Sequence, residues 1–177
     1  MLFRSTCVLA HVLGVPYSTT VDISLQNTHP FQYPGMSLAL AHNGDLAHIS
    51  EMKPLLLAYL KPDIARYISG VTDSEWIYAL LLSQLDNPAG TLTAAQLVNG
   101  VERTLAIIRE VRAQLHITVF SSVNLFIASG DTLAAVRYCF YFGCYRTEEP
   151  SRVHEAYMNF LSLCSTSGRE YGCHGGE

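Results

Sequence analysis

Two helix starts follow one another through the middle of the chain, and together they restrict the folds open to it. Thr72 is followed three residues later by Glu75, and Thr93 three residues later by Gln96. This is the capping-box spacing, in which a hydroxyl oxygen accepts an otherwise orphaned N–H of the first helical turn. After the first box, Ile77, Leu80, Leu81 and Leu85 recur at helical spacing. After the second, Leu97, Val101, Leu105, Ile108 and Val111 line one face of a longer helix whose other face is charged. On either side of this helical pair the sequence is apolar and β-branched. Strands, then adjacent helices, then strands, without regular βαβ alternation, predict an α+β fold.

Residues 7–12 read as a buried strand, which Gly14 and Pro16 break. Pro30 biases His29 toward an extended conformation. A second strand is expected at 36–41, ending in a sharp turn at Asn43-Gly44, because both residues tolerate positive φ. Ser50 is the expected cap of a helix through Glu51, Leu55, Leu56 and Tyr59, with Pro54 in its first turn and Pro62 closing it. Residues 117–128 and 133–138 form an expected hairpin across Ser129-Gly130-Asp131-Thr132. A last strand is expected at 160–165.

At 177 residues and 49% hydrophobic side chains, the chain buries roughly 70% of its unfolded surface as one domain, residues 1–177. With a net charge of −4 and no basic stripe, nucleic acid is not an expected partner. The longest apolar runs, such as 78–82, stop short of the ~20 residues that a membrane-spanning helix needs. No basic segment followed by a sustained apolar core opens the chain, so the expected location is cytoplasmic. Cysteines 7, 139, 144, 164 and 173 are odd in number and widely spaced, as buried free thiols are. Cys139 and Cys144 have the spacing of half a metal site, but no second pair completes it and the histidines lack HExxH spacing. No metal and no cofactor are expected.

Four short segments occur in order: Asn27-Thr28-His29-Pro30-Phe31, Ala41-His42-Asn43-Gly44, Thr72-Asp73-Ser74-Glu75 and Ser129-Gly130-Asp131-Thr132-Leu133-Ala134-Ala135-Val136-Arg137-Tyr138. Together they resemble the class II, N-terminal-nucleophile glutamine amidotransferases, above all the stand-alone hydrolases of γ-glutamyl amides and peptides. The resemblance implies an αββα sandwich of two antiparallel sheets between helical layers, and a small-molecule substrate, glutamine or a γ-glutamyl compound. It implies a Cys nucleophile exposed as residue one, whose own α-amine serves as base. The Asn43 carboxamide and the Gly44 N–H then match the oxyanion hole, Asp73 the receiver of the substrate's α-ammonium, and Asn27 and His29 the support of the pocket wall. Taken singly, each has a plainer reading: a tight turn at Asn43-Gly44, a helix-capping role at Asp73, a packed buried ring at His29.

The pattern departs from the family in three places. The chain opens Met1-Leu2-Phe3, without the Cys, and Cys7 lies within an expected strand as a packed thiol. Where the family has Ala-His-Val-Arg, this chain has Ala10-His11-Val12-Leu13, and leucine cannot grip a substrate carboxylate through paired hydrogen bonds. Either Arg4, the only nearby cation in the sequence, takes that role from another direction or free glutamine is bound poorly, and the second is expected. Finally, several dozen residues that the family places before the first strand, and others after the last, have no counterpart here, so both ends are expected to be incomplete. The resulting expectation is γ-glutamyl amide hydrolysis through a Cys thioester in the complete protein, with this chain inactive by itself. The alternative is a non-catalytic relic that uses the fold for partner binding or dimerisation, which leaves a homo- or hetero-oligomer open.

Overall fold

The computed structural model describes residues 8–11 and 24–142. Three strands, β1 (Leu38–Asp45), β2 (Ser121–Ser129) and β3 (Thr132–Phe140), form one antiparallel sheet in the order β1-β2-β3. Between β1 and β2 lie α1 (Ile49–Leu56), the short α2 (Pro62–Ala65), α3 (Asp73–Gln84) and α4 (Ala94–Gln114). The fold is therefore α+β, as the order of sequence patterns predicts. Among the described residues there is this one sheet. The strand expected at 160–165 lies outside them.

Alternation along β1 puts Leu38, Leu40 and His42 on the face that meets the helices, all nearly fully buried. Their cross-strand partners Ile127 and Leu125 extend that face, and Val123, opposite Gly44, continues it. The reverse face carries Ala39, Ala41 and Asn43 on β1, then Asn124, Phe126 and Ala128, then Leu133, Ala135 and Arg137 in matching rows. Helix α3 lies at the centre of the core: ten of its twelve residues are buried, so its environment is apolar all round rather than on one stripe. Its polar groups are correspondingly engaged. The Tyr78 hydroxyl donates to the Leu38 carbonyl at 2.7 Å and accepts the Tyr33 N–H at 3.2 Å. Burial pushes its pKa up to about 12.

Helix α4 follows its sequence signature closely. Thr93 and Gln96 make the reciprocal capping box, and the five apolar positions named above are buried. Near its C-terminus the fully buried Arg112 donates to Ser121 Oγ (2.9 Å), the Ala47 carbonyl (3.4 Å) and the Val119 carbonyl. Its guanidinium also faces the rings of Phe140 and Tyr141. One side chain thereby ties the end of β1 to the start of β2.

Local expectations fail in four places. Residues 8–11 form no strand, and Val8 is 82% exposed, so no sheet of the described residues buries the apolar run there; Cys7 and Val12 lie outside the described residues. The Asn43-Gly44 pair is not a turn, since β1 runs through it to Asp45 and pairs Asn43 with Asn124 and Gly44 with Val123. Sheet pairing outweighs the local preference of the dipeptide. Helix α1 starts after His48, in a left-handed conformation, and not after Ser50, which puts Pro54 in the second turn. The helix tightens into a 3₁₀ turn at Leu57–Tyr59 soon after. Pro62 does not close that segment; it opens α2, in the first helical position where its missing N–H costs nothing. The hairpin forms across Gly130-Asp131, with Gly130 at φ 57°.

Candidate functional site

The site is built where the end of β1 meets the start of α3. Gly44 has φ 153°, and a Cβ there would lie 2.1 Å from the Ser122 carbonyl oxygen and 2.8 Å from His42 Nε2. The backbone of β1 approaches β2 this closely only because residue 44 has no side chain. Asn43 precedes it, exposed, with its side chain on the sheet face opposite His42. Among the described residues its carboxamide has no hydrogen-bond partner.

Asp73 is the first residue of α3, where the positive end of the helix dipole favours an anion. Its Oδ2 accepts the Leu46 N–H at 2.7 Å, which fastens the helix start two residues beyond Gly44. Its Oδ1 accepts the Ser74 N–H (2.8 Å) and the Ser74 hydroxyl (3.2 Å). Ser74 Oγ also lies 2.9 Å from His42 Nδ1, so this one hydroxyl links the buried ring to Asp73. Burial keeps the ring neutral by lowering its pKa, against the opposing pull of Asp73 with Oδ2 4.0 Å away. A carboxylate offers about four acceptor positions. Three are occupied here, and the side chain is 17% exposed, so Oδ2 keeps one position for a cation.

Asn27 sits in a 3₁₀ turn at Leu25–Asn27, and its Oδ1 accepts the Val71 N–H at 3.0 Å, two residues before Asp73. His29 packs its ring between His11 (4.5 Å between centroids) and Phe31 (4.9 Å). Its buried Nε2 has no hydrogen-bond partner among the described residues. Burial, followed by the neighbouring His11 and His42, lowers its pKa to about 4. Asn27, His29 and Asp73 thus cluster around the α3 start, which Leu46 joins to β1. Asn43 and Gly44 lie on that strand, with the Asn43 side chain on the reverse face.

Sequence reasoning quoted His42, Ser74 and Glu75 within motifs without giving them site roles. The relay from His42 through Ser74 to Asp73 depends on strand and helix meeting in space, and neither motif alone contains it. Glu75 supports only half of the expected box: the Thr72 hydroxyl caps its N–H at 3.2 Å, but its carboxylate turns away, to Ser69 and Gly70. Among the described residues no three His, Cys, Asp or Glu side chains converge as a metal-binding group, and no helix is long and apolar enough to cross a membrane.

Comparison with known proteins adds two findings. The family described as glutamine amidotransferases class-II matches residues 1–145. A protein of Saccharomyces cerevisiae named probable glutamine amidotransferase DUG3 is 29% identical over 180 residues, which cover 95% of this chain and 47% of that protein. The chain therefore spans about half the length of this curated relative. No solved structure matches it.

Proposed function

The chain belongs to the class-II glutamine amidotransferases, and from that membership we propose that it forms the amide-binding part of a site for γ-glutamyl compounds. Asn43 and Gly44 donate to the γ-carbonyl oxygen as negative charge develops on it, and Asp73 receives the α-ammonium. Donors of this kind are worth ~2.7–4 kcal/mol each in the transition state. Asn27 and His29 hold the surrounding wall. The observation that carries this reading is the 2.7 Å bond from the Leu46 N–H to Asp73, which couples the cation-binding carboxylate to the strand bearing the two donors.

In the complete protein the reaction is hydrolysis of a γ-glutamyl amide through a Cys thioester: the thiolate adds to the carbonyl, the amine leaves with a proton, and water releases glutamate. For these 177 residues taken by themselves, the proposal is binding of substrate without turnover, since Leu2 offers no nucleophile. Leu13 stands where the family has its carboxylate-gripping Arg, so free glutamine is bound poorly; free glutamine, a γ-glutamyl peptide and a γ-glutamyl conjugate share that α-carboxylate and all stay open as the substrate. We further propose a single cytoplasmic domain over residues 1–177. The sheet face bearing Ala39, Ala41, Phe126 and Ala128 would then pack against the second sheet of the αββα sandwich.

The test is direct. The 177-residue chain should release neither ammonia from L-glutamine nor glycine from γ-L-glutamylglycine, yet should bind the latter. Asp73→Asn should weaken that binding about tenfold or more, the worth of a charge-assisted hydrogen bond. Turnover abolished by a thiol-alkylating reagent would overturn the inactive reading. Absence of binding would favour the alternative, a domain kept for partner contact.

A further inference from the structure

We propose that Glu75 is a positioning residue of this site: it fixes the strap of residues 69–72 and, through the strap, the orientation of Asp73 toward the substrate's ammonium group. The inference rests on the role proposed for Asp73.

Among the described residues the strap has no ladder partner, and its backbone is held by side chains drawn from three elements. Glu75, 1% exposed in α3, accepts the Ser69 N–H on Oε1 at 3.0 Å and the Gly70 N–H on Oε2 at 2.7 Å. Asn27 accepts the Val71 N–H at 3.0 Å from the 3₁₀ turn. Lys53 of α1 donates to the Val71 carbonyl at 2.9 Å while its ammonium lies over the Trp76 ring. Thr72 then caps the helix and Asp73 follows at once. Gly70 fits because it lacks a side chain: a Cβ there would sit 2.5 Å from Asn27 Oδ1, 2.7 Å from the Gln26 carbonyl oxygen and 2.9 Å from Glu75 Oε2.

The chemistry at position 75 requires a carboxylate and not merely a polar group. Two N–H donors face two oxygens, and the Tyr33 hydroxyl adds a third donor to Oε1 at 3.4 Å. A carboxamide of the same shape presents an NH₂ group to one of those donors, so one N–H must move or remain unsatisfied in a buried position. The displacement passes through Val71 and Thr72 to Asp73, whose backbone is continuous with the strap. Glu75 would otherwise complete the capping box; its diversion to Ser69 and Gly70 leaves the Thr72 N–H without that contact and ties down the segment in front of the site.

Two ligands separate positioning from general damage. γ-L-Glutamylglycine carries the α-ammonium, and glutarylglycine is the same molecule without it. Calorimetric titration of the 177-residue chain should give a preference of about tenfold for the first, the contribution of Asp73. Glu75→Gln should abolish most of that preference by weakening γ-L-glutamylglycine binding, with glutarylglycine binding unchanged. Lys53→Met, which releases the Val71 carbonyl on the other side of the strap, should cause a smaller loss of the same selective kind and serves if Glu75→Gln does not fold. Equal losses for both ligands in the folded variants, or an intact preference, would overturn the role of Glu75. A wild-type chain that binds the two ligands alike, or binds neither, would instead overturn the assignment of Asp73 itself.

Discussion

At the scale of single residues, Gly44 and Glu75 show how a motif position acquires its meaning only in three dimensions. Gly44 reads locally as half of a turn, yet it is a strand residue whose missing side chain lets the Ser122 carbonyl come close. Gly44→Ala should therefore destabilise the fold by roughly 2–4 kcal/mol, from the clash with backbone and the unfavourable φ together; chemical denaturation measures it, and a loss below 1 kcal/mol on the order-of-magnitude scale of surface substitutions would contradict the packing described. The residue types of the candidate site were legible in the sequence: Asn27, His29, Asn43, Gly44 and Asp73 all stand in motifs. Illegible was the coupling among them. That Ser74 relays between His42 and Asp73, and that Glu75 abandons its box, follows from which backbone donors arrive nearby, and those come from segments distant in the chain.

At the scale of elements, long periodic segments were the most legible. Helix α4 has its box, its apolar stripe and its charged face where the pattern puts them, because 21 residues of repeated spacing dominate any local preference. Short elements were not: α1 begins after His48 and β1 outlasts its turn signal, since sheet pairing and core contacts decide positions that two or three residues cannot. The histidine rings link separate elements and give a testable pH dependence. His11 from the 8–11 segment, His29 and His42 of β1 all have pKa values lowered chiefly by burial. Unfolded histidine takes up a proton near 6.5, whereas His29 in the folded chain does so only near 4. Between these values the unfolded state binds more protons, so the stability from neutral, packed rings is complete above pH 6.5 and is lost as pH falls toward 4. Thermal unfolding should show Tm falling across that window, and His29→Phe, which retains the ring contact with Phe31, should flatten the slope. An equally steep slope in that variant would contradict the assignment.

At the scale of the whole molecule, the order of strand and helix patterns anticipated the α+β architecture, and the resemblance of the four motifs anticipated the family. The two-sheet sandwich was an inference from resemblance alone; the described residues contain one sheet, with a largely apolar reverse face. About half the length of the yeast relative lies beyond what this chain matches, and the contribution proposed for this domain is binding of the amide substrate. That contribution rests on one junction, where α3 delivers Asp73 to the end of β1. Backbone amide chemical shifts recorded by NMR during titration with γ-L-glutamylglycine report on that junction residue by residue. The largest changes should fall on Gly44, Leu46 and Ser74 and on the side-chain amide of Asn43, and Asp73→Asn should diminish them. Saturable changes confined to other surfaces, or none at millimolar ligand, would contradict the site.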